Sequence, residues 1–189
     1  MKIFAGRIRD VNKGYWMSFE NHPRLLETKQ SIYIRCVPCL EKLYAQLQSS
    51  STELKLEEPL DCWKIVVVFD SLDECLELLC LYEEKQEDNK PEIEIVRGRI
   101  GTSDKSNPGV VIIFQVLEEK ERLGLMADIR ELAPRINPGY SLFYERGCGD
   151  PYGLLCGDWK KWKSITPIMN PHLVPLARDN VEKLLRGDY

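Results

Sequence analysis

Cys36-Val-Pro-Cys39 comes nearest, in residue type and spacing, to a chemical device in this chain. Two thiols three positions apart at the start of a helix form a redox dithiol when the helix N-terminus stabilises a thiolate. A thioredoxin-like arrangement needs a βαβ unit before the pair and a cis-proline strand after it. The order of elements read below supplies neither. The same pair is also half of a tetrahedral zinc site, with Cys148 and Cys156 as candidates for the other half. Those two stand in a C-x₇-C spacing, wider than the two to four residues usual between paired zinc ligands. The expectation is therefore two small hydrophobes at a strand–helix corner, with no metal or other cofactor. Cys62, Cys75 and Cys80 lie on or beside apolar runs and are expected to pack in the core.

Carboxylates offer a second chemistry. Asp70 ends an apolar strand, Asp73 follows it, and Asp104 lies in a later loop. Polymerase palms and nucleotide cyclases place metal-binding acids at such positions, so a carboxylate metalloenzyme is one reading. Helix capping and turn chemistry account for the same three residues without catalysis. His22 and His172 each adjoin a proline, which leaves little scope for histidine chemistry. Neither a Walker nor a Rossmann glycine loop occurs.

Nucleic acid is the third possibility for chemistry-bearing residues. Arg97 and Arg99 share one face of a strand, and Trp159-Lys-Lys-Trp-Lys163 mixes the cations Lys160, Lys161 and Lys163 with stackable rings. Such groups contact phosphates and bases. Net charge weighs against this: it is +2 over residues 1–60, −7 over 61–149 and +1 over 150–189. Affinity for nucleic acid comes largely from neutralising phosphate. Val110–Gln115 is aliphatic, unlike the aromatic strand with which RNA-recognition domains stack bases.

The elements that must position these residues are clearest in the middle of the chain. Trp63–Phe69 and Val110–Leu117 are nearly unbroken apolar runs, read as strands buried on both faces. Ser71-Leu-Asp-Glu74 has the form of a capping box and opens a helix to about residue 86. Glu92–Ile100 reads as a strand, Glu118–Ala133 as a helix ended by Pro134, and Tyr140–Arg146 as the last strand. This order, β-α-β-β-α-β, predicts an α+β ferredoxin-like split sandwich. Its first and third strands are then central, and its second and fourth are edges carrying charges and a glycine.

Residues 1–60 read as an extension packed on that core: a hairpin with its turn near Asn12–Gly14, a strand at Ser31–Arg35, and a helix with Pro38 in its first turn. The ferredoxin-like domain spans 61–149. Residues 150–189 continue the same structural unit as an irregular, glycine-rich loop and a closing helix whose buried residues are Leu176, Val181, Leu184 and Leu185. Hydrophobic residues make up 43% of the 189 positions, enough for a proper core. No apolar run approaches the length of a membrane span, and the first residues lack a signal-peptide pattern. A cytoplasmic protein with free thiols is expected.

The functional expectation is a non-enzymatic binding or regulatory module that engages a protein partner or small ligand. Its contact residues are expected in the aromatic tail: Tyr152, Asp158 and Trp159, with Arg146 beside them. The alternative is an RNA-binding or RNA-processing protein of the ferredoxin-like kind found among CRISPR-associated factors. A fold shared by both classes does not choose between them.

Overall fold

A computed structural model describes residues 4–5, 9–11, 14–20, 25–89, 96–102 and 109–186, with side chains for 16–20, 36–86, 96–102, 109–148 and 151–186. In chain order these form β1 (Phe4–Ala5), β2 (Arg9–Val11), β3 (Gly14–Glu20), α1 (Leu25–Gln48), β4 (Glu53–Lys55) and β5 (Trp63–Phe69). There follow α2 (Leu72–Asn89), β6 (Arg97–Thr102), β7 (Val110–Val116), α3 (Glu119–Ile136) and β8 (Ser141–Arg146). The chain closes with α4 (Gly149–Cys156), β9 (Ile165–Pro167) and α5 (Val174–Arg186). The architecture is mixed α+β, and the chain forms two compact units: Met1–Leu26 with Trp63–Glu145, and Glu27–Cys62 with Arg146–Tyr189.

The first unit is built on one sheet of order β1-β3-β6-β7-β5-β8, with β2 also paired to β3. The pairs β5–β7, β7–β6 and β6–β3 are all antiparallel. The centre follows from composition: β5 and β7 have no polar face, so neither can stand at a solvent edge. Their register sets Ile65 opposite Phe114, Val67 opposite Ile112 and Phe69 opposite Val110. These side chains are buried together with Leu78, Tyr82, Leu125, Met126 and Ile129 of α2 and α3. The alternate residues Val66, Val111 and Ile113 form a second cluster, against which Trp16 and Val68 pack.

α2 opens as its sequence predicts. The Glu74 carboxylate accepts from the backbone N–H of Asp70 (2.9 Å) and Ser71 (3.0 Å), and the Ser71 hydroxyl accepts from the Glu74 N–H (3.3 Å). Asn137 then donates to both Asp70 and Glu74, at 2.9 and 3.0 Å. Asp70 is thereby committed to holding the end of one helix against the start of another.

β6 differs from expectation in an informative way. It is not an edge, because β3 pairs along its outer side. Its charges and glycines have other reasons. Arg97 stands opposite Glu20 in the register, and both are buried, as cross-strand opposite charges favour. The Arg99 guanidinium lies 4.8 Å over the Trp16 ring. A Cβ at Gly101 would overlap that same indole, and one at Gly98 would overlap the Ile113 carbonyl and the Phe19 ring. The strand carries no side chain where its neighbours approach this closely.

Several local expectations are corrected. Ser31–Arg35 is not a strand but part of the 24-residue α1, and Pro38 lies inside that helix instead of in its first turn. A five-residue β-rich run is a weak signal beside a helix that leads into Cys39, Leu40, Leu43 and Leu47. α3 likewise runs through Pro134 to Ile136. Glu53–Lys55 pairs with β9 as a small two-stranded sheet. The glycine-rich 147–159 segment contains α4, and Leu176 is exposed on α5 while Ala177 and Val181 are buried. The segments at either end of the chain therefore distribute differently from the expected division at 60 and 150, with α1, α4 and α5 in one unit.

Two substitutions test this arrangement. Ile112→Ala, in the fully buried centre of the sheet, should cost about 3 kcal/mol in denaturant unfolding. Gly101→Ala should cost about 1–3 kcal/mol and shift tryptophan fluorescence to the red as the Trp16 indole is displaced. A stable Gly101→Ala protein with unchanged emission would show that Trp16 does not lie there.

Candidate functional site

The second unit has its own core. α1 contributes Cys39, Leu40, Leu43 and Leu47, β4 and the residue after it contribute Leu54 and Leu56, and α5 contributes Ala177 and Val181. α4 adds Tyr152, Leu155 and Cys156, which lie at i, i+3 and i+4 and so share one helix face. That spacing is the signal for α4 in a segment whose glycines read as loop. Gly157, at φ 69°, ends the helix in a conformation that other residues rarely adopt, and its N–H returns to the Gly153 carbonyl at 2.9 Å.

A buried thiol and a buried phenol hydroxyl interrupt this apolar interior. Cys39 is only 6% exposed, and its sulfur lies 3.6 Å from the Tyr152 hydroxyl. Cys148, half-buried, packs against the same cluster. Cys148 is brought in by a close approach of two strands of chain. The Gly147 N–H donates to the Cys62 carbonyl at 2.9 Å, and the Arg146 guanidinium donates to the Leu60 carbonyl. A Cβ on Gly147 would come within 3.0 Å of the Cys62 Cβ. Glycine is what lets the two segments run so close.

The electrostatics divide the two thiols. Cys39 is lowered from the ordinary thiol value to about 7. The largest cause is the hydrogen bond from Cys148; burial opposes it, and Tyr152 adds to it. A smaller raising influence from Glu58 is countered by Lys42. Cys148 moves upward, because it donates to Cys39, because it is buried, and because Cys39, Cys62 and Cys36 lie nearby. Tyr152 is raised chiefly by burial and then by Cys39. The influences of Cys148 and Tyr152 both favour the ionised form of Cys39, whereas burial opposes it.

The structure brings together Cys39 and Cys148 of the expected cysteine set and leaves out Cys156. Cys156 is buried in the same core, but its thiol is pushed up to about 11 by burial alone, with no sulfur influencing it. Cys36 is exposed. Among the described residues no group of three or more His, Cys, Asp or Glu side chains is arranged to hold a metal. Cys62 was expected in the core of the sheet but is half-buried close to Cys148, and Cys80 is exposed. Cys75 is fully buried and raised to about 12 by burial.

Of the expected contact residues, three converge at the surface. Trp159 is half-buried, with the cations of Arg146 and Lys160 each 5.9 Å from its ring centroid. Asp158 is exposed and accepts from the Lys160 N–H at 3.1 Å, capping a single 3-10 turn over 159–161. Tyr152 is corrected: at 2% exposure it is interior, packed 5.8 Å from the Trp162 ring. Trp162 is buried too, its indole N–H donating to the Gly157 carbonyl at 3.2 Å. Both tryptophans belong to the core of the second unit. Lys160, Lys161 and Lys163 are exposed in this unit; Arg97 and Arg99 belong to the other. Asp104 lies outside the described residues, and Asp73 is exposed in the first turn of α2.

No family model, curated protein or solved structure matches this chain. No helix among the described residues is long and apolar enough to cross a membrane.

The charge asymmetry of the thiols has a direct readout. The pH dependence of alkylation at Cys39, followed by mass spectrometry of its peptide, should show a midpoint near pH 7. Cys148→Ala should move that midpoint upward, since it removes the principal donor. Cys75 should remain unmodified until far more alkaline pH. An unshifted, ordinary thiol midpoint at Cys39 would contradict the arrangement.

Proposed function

We propose that this chain is a non-enzymatic binding or regulatory module that engages a protein partner or small ligand through the surface around Trp159. The observation that carries the reading is the half-buried indole flanked by two cations, with Asp158 exposed at its side. An aromatic ring already fixed by a packed core offers contact area at little entropic cost. The segment that presents it is ordered from beneath by Tyr152 and Trp162, as a recognition loop on a rigid scaffold requires.

The sheet unit fits a ferredoxin-like split βαβ. Its path β5-α2-β6-β7-α3-β8 and its central order β8-β5-β7-β6 support that reading, with β3 added as a further strand beyond β6. A cytoplasmic location remains part of the same proposal.

A second reading has one observation in its favour. Lys160, Lys161 and Lys163 are exposed beside Trp159, and cations with a stackable ring suit single-stranded RNA.

Native mass measurement of the protein isolated from its own cells separates the two. A bound partner or ligand should appear as added mass and be lost from Trp159→Ala, whose folding is verified by circular dichroism. Loss of a central aromatic anchor costs about 2 kcal/mol, roughly thirtyfold in affinity. Added mass that is nuclease-sensitive, and abolished by reversing the three lysine charges, would favour RNA. A bare chain, or a complex indifferent to Trp159, would remove the proposal.

A further inference from the structure

The surface around Trp159 also carries a signature of what it binds. We propose that its partner is an acidic protein segment, a stretch of chain that presents several carboxylates beside an apolar side chain. This deepens the recognition reading of that surface and rests on it. Charge is the first observation. The Arg146 and Lys160 cations flank the indole, Lys161 and Lys163 are exposed next to it in sequence, and Asp158 is the one carboxylate between Gly157 and Lys163. Among the described residues the three lysines form no ion pair, whereas Lys42, Lys64 and Lys85 each meet a carboxylate of this chain. The Asp158 carboxylate is turned to a backbone N–H, that of Lys160. The patch thus holds an excess of positive charge that its own surroundings do not neutralise, and a partner bearing negative charge is its complement.

The second observation is that the cations stand on a fixed backbone. The Lys161 N–H donates to the Asp158 carbonyl at 3.0 Å, the Trp162 N–H to the Trp159 carbonyl at 3.1 Å and the Lys163 N–H to the Thr166 hydroxyl at 2.9 Å. Buried Trp162 pins the segment to the core between Lys161 and Lys163. Exposed ion pairs are weak mainly because ordering long side chains costs entropy, and a backbone ordered before binding removes part of that cost. The third observation is apolar area beside the charge. Trp159 is only half-buried, and Ile165, two residues beyond Lys163, is 54% exposed. An apolar side chain among the partner's carboxylates has a surface to cover.

The same features count against a nucleic acid strand. Single-strand binding stacks successive bases on several rings along a basic groove. Here Tyr152 and Trp162 are buried, so Trp159 alone of the three rings has surface to offer. The lysines lie within one short segment, and the chain as a whole carries a net charge of −4, which repels an extended polyanion.

The experiment selects binders from a displayed library of random short peptides on the immobilised full-length protein and measures the enriched peptides by fluorescence anisotropy. The expected result is enrichment of Asp and Glu around a Phe, Trp, Leu or Ile, with binding that weakens as salt is raised. Reversing the three lysines together (Lys160→Glu, Lys161→Glu, Lys163→Glu) should cost about tenfold in affinity. A version of the enriched peptide with its acids changed to lysine should bind that variant and not the native protein, which separates lost charge from lost folding. The composition selected by the native protein is decisive even where the variant fails to fold. Peptides that need Trp159 but are uncharged or basic overturn the acidic partner and leave the recognition surface standing. Peptides that bind Trp159→Ala equally well, or no enrichment at all, overturn both. Oligouridine that displaces the acidic peptides and binds more tightly than they do overturns the proposal in favour of RNA.

Discussion

Two strands without a polar face constrain the first unit more than any other feature. β5 and β7 carry apolar side chains on both surfaces, and each apolar side chain buried is worth about 1.5–3 kcal/mol. Leaving either surface to water would forfeit much of the folding free energy. On one side α2 and α3 provide the cover, anchored at their ends by the hydrogen bonds from Asn137 to Asp70 and Glu74. On the other, Trp16 packs against Val66, Val111 and Ile113, which requires β3 to lie beside β6 and requires Gly101 beneath the indole. The hairpin at the start of the chain is thus part of the sheet's core.

Charge is handled by the same economy of placement. Arg122 is buried on α3, with its guanidinium 4.7 Å from the Trp63 ring and 4.0 Å from the Tyr144 ring, and Glu119 pairs with it. A cation held between two aromatic faces and one carboxylate keeps favourable electrostatics while leaving bulk water. The arrangement ties the start of α3 to both β5 and β8. The edge strand β8, none of whose residues is fully buried, is held in part by this clasp.

In the second unit the organising constraint is a polar exception to an apolar interior. Tyr152 and Cys39 place a hydroxyl and a thiol where α1, α4 and α5 would otherwise meet through hydrocarbon alone. Buried polar groups are tolerated when they satisfy one another, and here the partners do so while lowering the pKa of one sulfur. The neighbouring surface around Trp159 rests on the same core through Tyr152 and Trp162.

Periodicity and continuous apolar runs in the sequence determined the elements of the middle of the chain, because burial on one face or two leaves a pattern in the residues themselves. Ser71–Glu74 was legible as a helix start for the same local reason: both partners of the cap lie within four positions. Arg146, Asp158 and Trp159 were legible as neighbours because they flank one short segment. Tertiary structure alone decided the rest. The pairing of β3 with β6, the continuity of α1 through Pro38 and the burial of Tyr152 each depend on segments far apart in the chain. Cys148 was legible as a companion of the C-x-x-C pair, but Cys62 beside it and the exclusion of Cys156 were not. A sulfur's environment is set by what packs around it after folding, and residue spacing records nothing about contacts across more than a hundred positions.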